Sequence, residues 1–312
     1  MNSTTHPRSA SGRAVVVMSV GLVLLLSATW VVSAHLVQHE PPDAVATGRS
    51  MLSCIGLALI ALRSRSTITR SLSQLVRRPR VLLVSGILGV SAYSTASLSA
   101  IALVGASITN LIVAMVPTLT LVIGHIFLAH RHRPAAIAAV ALTVVGAVVY
   151  ALGSFHHKEV SPVVVVMGIG AGIIALCAAS LYGLHYAHIS RGHVPDDLLL
   201  GIFLFGTAGL LAMQAVSGRL PGLLSLPISA WLWLAVLGIA IYVPVYFLQH
   251  RLIHEKGAVF AATLSLAVPI VVRIENIALR QEPWPGPPEV IGMIVCLAGV
   301  AVIVRSGVRR GA

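Results

Sequence analysis

The sequence predicts an all-α polytopic membrane protein whose ten transmembrane helices form two inverted five-helix repeats. Three observations lead there. Of 312 residues, 57% are apolar and only 10% are charged, with a mean hydropathy of +0.94. Soluble domains carry about 25% charge, so a soluble globule is excluded. The apolar residues fall into runs close to the roughly 20 needed to span a bilayer. The positive charge sits in the short gaps between those runs, as the positive-inside rule requires. A formal charge of +12 would point to nucleic acid in a soluble chain. With aromatics at 5% and the basic residues confined to gaps, no nucleic-acid partner is expected. The lipid bilayer is the expected surrounding.

Taken in order, the first run covers 14–34 behind Arg8 and Arg13. Its Val-Val-Ser-Ala end imitates a signal peptide, yet the run exceeds the apolar core of about 7–15 residues typical of one. It reads as an uncleaved helix. Further spans are expected at 44–62, 81–100, 105–128 and 134–153, then at 162–184, 198–217, 229–249, 257–279 and 288–305. Richness in Val and Ile does not argue for strands, because an open sheet edge is unsatisfied in lipid. The segment Arg63 to Arg80 is expected to be a basic loop, too short for a domain. Cys54, Cys177 and Cys296 all lie within apolar runs and read as small buried hydrophobes.

Orientation follows from the gaps. One side would hold Arg8, Arg13, Arg63, Arg65, Arg70, Arg77, Arg78, Arg80, Arg131, Arg133, Arg191, Arg251, Lys256, Arg305, Arg309 and Arg310. The other would hold only Lys158, Arg219 and Arg280. The bias places both termini in the cytoplasm, requires an even number of spans, and points to the plasma membrane.

The chain also resembles itself at an offset of 152. Gly105-Ala106, Pro117 and His130 are matched in spacing by Gly257-Ala258, Pro269 and Glu282. The helices that follow carry Gly146 and Gly299 in similar apolar settings. The repeats would occupy 14–153 and 162–306. Five helices per repeat is an odd number, so the second copy enters the membrane from the opposite side. That is an inverted-topology repeat, which lets a transporter alternate its access around a central site.

A small-residue pair, a mid-helix proline, a Glu at the helix end and a next helix with a central Gly together resemble the EamA-type family of the drug/metabolite transporter superfamily. Pro42 and Arg49 ahead of the second helix are similar to that family's Pro…Arg feature. The first repeat departs from it with Ala129-His130-Arg131 in place of Gly-Glu-Arg, and the ninth helix carries the unexpected Arg273 and Glu275. The resemblance implies two five-helix repeats around a cavity. It also implies export of amino acids, metabolites or drugs by proton coupling or exchange, with no cofactor and no enzymatic activity. A homodimer is compatible with this reading.

Ionised residues near the middle of a spanning helix are expensive and are usually functional. Arg273 shares a helical stripe with Pro269 and Asn276. Arg273 and Asn276 are therefore expected to recognise an anionic group, with Glu275 as a coupling carboxylate. Snorkelling of the charges to the interface is the competing explanation. In the fourth helix Asn110, Pro117, Thr118 and His125 form a polar stripe. Asn110 is expected in the cavity, His125 in coupling, and Pro117 and Pro269 as helix breaks that line the site. Tyr93 and Tyr246 are candidate cavity residues. Arg49 is expected to anchor the second helix at the interface, with a gate or substrate role as the alternative.

Thirteen histidines support the one enzymatic alternative. His125, His130 and His132, then His185, His188 and His193, then His250 and His254 fall on one side and faintly resemble the metal-binding boxes of desaturase-like membrane enzymes. No His-His pair occurs in these groups, and the repeat would be left unexplained. A secondary transporter of a small molecule is the expected function.

Overall fold

The computed structural model describes residues 12–127, 134–155, 161–189, 195–256, 264–265 and 267–308, and no strand occurs among them. The helices are α1 (Gly12–Val37), α2 (Pro42–Leu62), α3 (Arg65–Arg77) and α4 (Pro79–Gly86). A π-helical segment, Ile87–Ala92, carries α4 without interruption into α5 (Tyr93–Val104). Then come α6 (Ala106–Val113), α7 (Val116–Phe127), α8 (Pro134–Phe155), α9 (Pro162–Ile189), α10 (Pro195–Val216) and the short α11 (Leu220–Leu224). Helix α12 (Ile228–Ala235) passes through a second π segment, Val236–Tyr242, into α13 (Val243–Lys256). Helices α14 (Val268–Ala278) and α15 (Pro287–Val308) end the fold.

Proline explains much of this punctuation. Pro42, Pro79, Pro134, Pro162, Pro195 and Pro287 each stand first in a helix. There the missing N–H costs nothing and the fixed φ is already helical.

Among the described residues, six helices are long and apolar enough to cross a membrane: Arg13–Val37, Pro42–Leu62, Pro79–Val104, Pro162–Tyr186, Asp197–Val216 and Ile228–Gln249. Shorter apolar helices lie at Ala106–Thr120, Ala138–Ser154 and Pro287–Val302. Large apolar side chains such as Val16, Val17, Val20, Val163 and Val166 point outward, the reverse of a soluble surface. The chain is an integral multi-pass membrane protein. The predicted fourth span is divided at Ala114–Met115, and the first part of the predicted ninth lies largely outside the described residues.

The expected loop from Arg63 to Arg80 needs correction, because most of it is helix α3. Ile68 and Leu75 turn to the core, while Leu72 and Val76 are exposed beside the arginines. Arg70 forms an ion pair of 3.0 Å with Asp197 at the start of α10. A window tuned to bilayer-long apolar runs passes over such a short amphipathic helix, whose pattern suits a membrane surface. The end of the bundle that carries α3 is called the basic end below.

The two halves meet in matched pairs. A Cβ on Gly86 would fall 2.6 Å from the amide N of Gly206 and 2.7 Å from the carbonyl of Ile202. One on Gly238 would fall 2.8 Å from the carbonyl of Arg49 and 3.1 Å from the amide N of Ser53. Gly86 and Gly238 are 152 residues apart, and Arg49 and Ile202 are 153 apart. Ser53 donates to the Gly238 carbonyl at 3.1 Å and Ser91 to the Gly206 carbonyl at 2.8 Å. Helices α8 and α15 repeat the theme: Gly146 abuts Gly292 and Cys296, and Gly299 abuts Ala139 and Thr143. Small residues let helix backbones approach closely in lipid, where packing rather than hydrophobicity drives association.

Candidate transport site

Two polar constellations lie within the bundle. The first is at the end opposite α3. Gly105, at φ +88°, ends α5 and starts α6 in a conformation that L side chains rarely adopt. This brings Ser107 to α14, where its hydroxyl donates to Glu282 at 2.6 Å and accepts from Asn276 at 3.2 Å. At the end of α14 the chain reverses through Arg280, at φ 57°, and the amides of Gln281 and Glu282 both return to the Asn276 carbonyl. The reversal carries Glu282 back onto Arg273.

Arg273 is 6% exposed, and both terminal nitrogens of its guanidinium are bonded while Nε has no partner. Nη1 is paired with Glu282, and Nη2 donates to Glu289 at 3.0 Å and to the Pro283 carbonyl at 3.1 Å. The amide of Gly286 closes the cluster by donating to Glu289 at 2.9 Å. Two carboxylates around one cation give the joint a formal charge of −1. A 260 Å³ pocket lies against it, lined in part by Ala34, Val37, Gly105, Asn276 and Glu282. The competing snorkelling explanation fails for Arg273, whose charge points to buried carboxylates.

The second constellation surrounds Arg49, which is 2% exposed. One guanidinium nitrogen donates to Ser94 at 2.6 Å, and the group lies 4.3 Å from the ring centroid of Tyr242. Its Nε has no hydrogen-bond partner and, among the described residues, it forms no salt bridge. Arg49, Tyr93, Tyr182 and Tyr242 all lie within electrostatic reach of Tyr246. The Tyr242 and Tyr246 rings are 5.6 Å apart, and Tyr246 meets Phe203 edge-on at 4.9 Å. Tyr93, Tyr182 and Tyr246 each keep part of their surface accessible.

The expectation that Arg49 anchors α2 at the interface is therefore overturned. Its position seven residues into α2 suggested a boundary, but packing of both halves around it removes it from lipid and water alike. A cation near the centre of a spanning helix costs about 2.5–3.5 kcal/mol on insertion scales.

The remaining predicted residues are distributed around these two sites. Asn276 sits in the first joint, next to Arg273, although the guanidinium there faces carboxylates. Glu275 points elsewhere, to α1, where Ser27 donates to it at 2.9 Å. Asn110 is buried with its Nδ2 unpartnered. Pro117 and Pro269 are both second in their helices, just after the turns at Ala114–Met115 and Ala267. Tyr93 and Tyr246 both lie within electrostatic reach of Arg49. The side chain of His125 lies outside the described residues, as do those of His130, His132, His193, His250 and His254. Of the other boxed histidines, His185 Nε2 lies 3.4 Å from the Val81 carbonyl and His188 is exposed. No metal-holding group of three His, Cys, Asp or Glu occurs among the described residues.

Sequence reasoning missed the partners of Arg273. In the sequence Glu282 stands out only as a repeat marker and helix-end residue, and Glu289 carries no signal of its own. The excess of charge in one apolar helix was the available signal, since a buried cation needs a counter-charge.

Interrupted helices at matched positions, small-residue contacts between halves and charges enclosed by a lipid-facing bundle define a polytopic membrane protein of the transporter type. The chain belongs to the EamA-like transporter family, whose model matches residues 13–152 and again 166–305. Members of this family are transporters rather than enzymes. No curated protein matches the chain. Among solved structures 28 chains match. One crystal structure of a protein superposes with a TM-score of 0.64 at 19% identity, covering 94% of this chain and 98% of its own. That likeness speaks for the fold.

Proposed function

We propose that the protein is a secondary transporter that exports a small metabolite, amino acid or drug across the cytoplasmic membrane by alternating access. Ten spans would form two inverted repeats, with both termini and the basic end in the cytoplasm. The observation that carries this reading is the matched set of contacts between halves, in which residues about 152 apart exchange roles at Gly86 and Gly238 and at Gly146 and Gly299. Such exchange is what a pseudo-two-fold axis in the membrane plane produces.

Within this mechanism, the joint of Ser107, Asn276, Arg273, Glu282 and Glu289 is the outer gate, drawn shut. Opening exchanges the bonds across α6 and α14 for water entering from the neighbouring pocket. Glu275, tied to Ser27 of α1, is the carboxylate placed to couple a proton to movement of α14. Pro117 and Pro269 loosen the two helices that must move.

The test compares metabolites in the medium and inside cells, with and without the protein. A compound enriched outside only when the protein is made is the expected result. Identical profiles, with normal amounts of protein in the membrane, would overturn the assignment.

A further inference from the structure

We propose that Arg49 with Tyr93, Tyr182, Tyr242 and Tyr246 forms the substrate site, and that the substrate is a small organic carboxylate with an apolar body. This inference rests on the transporter reading above and adds the substrate's charge.

The fold itself does not require a cation at position 49. In the matching contact of the other half, Gly86 meets the carbonyl of Ile202 just as Gly238 meets that of Arg49. Ile202 is a buried aliphatic residue. The same helix contact is thus built with no charge at all. The two buried arginines also differ in their surroundings. Both leave their Nε–H without a partner, but Arg273 has two carboxylates, while Arg49 has only a hydroxyl and an aromatic face.

A guanidinium with free donors matches the planar geometry of a carboxylate, which it binds through two parallel bonds. The single cation of Arg49 suits a single negative charge. The tyrosine rings supply apolar faces for the rest of the molecule and hydroxyls at their tips. The Tyr182 hydroxyl is buried without a partner. An amino acid is a poorer fit, because its ammonium would need an acidic partner. Among the described residues Glu282 and Glu289 belong to the other joint, and Glu275 is turned to α1.

The site also bridges the parts that must move. Tyr93 and Ser94 directly follow the first π segment, whereas Tyr242 ends the second and Tyr246 lies one turn beyond it. Such π segments are frequent at functional sites. A ligand held here contacts both halves at once.

The experiment uses the purified full chain in detergent with phenylacetate, phenylacetamide and phenethylamine, three ligands of one shape that carry negative, zero and positive charge. Benzoate and octanoate vary the body. A saturable rise in Tm of about 3 °C or more is expected with a carboxylate, at concentrations at least about tenfold below those needed for the amide. Arg49→Gln should lose this response while its ligand-free Tm equals or exceeds that of the wild type. Arg49→Lys keeps the charge without the fork and should bind more weakly.

Equal responses to all three shapes, no response to any carboxylate, or a response retained in Arg49→Gln would overturn the proposal. So would a lowered ligand-free Tm in that variant, since it would make the cation structural. Tyr93→Phe and Tyr246→Phe, which preserve packing, should weaken carboxylate binding several-fold, and unchanged binding would count against the site. Counterflow in proteoliposomes separates the two readings. Carboxylate binding without counterflow overturns the transporter assignment and leaves the site standing. Transport without carboxylate preference does the reverse.

Discussion

Arg273 and Arg49 show how differently one residue type behaves once folding supplies, or withholds, a partner. Arg273 is enclosed by Glu282 and Glu289, so removing it strands two buried carboxylates. Arg273→Ala is expected to cost about 3–5 kcal/mol, the penalty of breaking a buried pair. Equilibrium unfolding of the purified protein measures this, and adding Glu289→Gln should recover part of the loss. An unchanged midpoint would show that the cluster contributes nothing. That Arg273 mattered was legible from its place in an apolar run. Its partners were not, because they depend on the reversal at Arg280 and on where α15 returns to α14. Arg49 was legible as a residue near a helix start, with a gate or substrate role as the alternative to anchoring, but its burial was not. Its burial arises from helices over 40 residues or more away in sequence, at Ser94 and Tyr242.

At the level of the element, hydropathy located the long helices well, because in lipid every backbone group of an apolar run must be bonded within the run. It was blind to α3, whose pattern answers to an interface rather than a core, and to both π segments, which leave no compositional trace. The glycines in the fifth and tenth predicted spans, seen first as a repeat signal, turn out to be contact points between α8 and α15. A Cβ on Gly292 would fall 2.3 Å from the amide N of Tyr150, with no flexible side chain to give way. Gly292→Ala should therefore destabilise the protein by about 1–3 kcal/mol through overpacking. Gly170 and Gly183 have open space where a Cβ would go. Alanine at either should be neutral or stabilising by up to about 1 kcal/mol, from helix propensity. Thermal unfolding of the three variants side by side checks the contrast, and a similar Tm for all would contradict the packing described.

Across the whole molecule, charge bias, repeat spacing and matched contacts support one topology. It is checked by cysteine labelling with a membrane-impermeant reagent in cells, after replacing Cys54, Cys177 and Cys296. Trp284 and Val76 are both 82% exposed and lie toward opposite ends of the bundle. Trp284→Cys should react in intact cells, and Val76→Cys only after permeabilisation. The opposite pattern would invert the orientation. The repeat was readable because its spacing survives in sequence, and so was the general class of function. Tyr93 and Tyr246 were legible as cavity candidates, but the case for Arg49 was not, because the symmetry that pairs it with Ile202 appears only when the two halves are seen in contact.

The central claim is that this bundle transports by opening and closing around an interior site. The most direct measurement is substrate release from cells carrying Ser107→Cys and Asn276→Cys in the cysteine-free background, joined by a reducible crosslinker across the outer joint. The account predicts that export stops when the crosslink forms and returns when it is reduced. Export that continues unchanged through a fully crosslinked joint would contradict it.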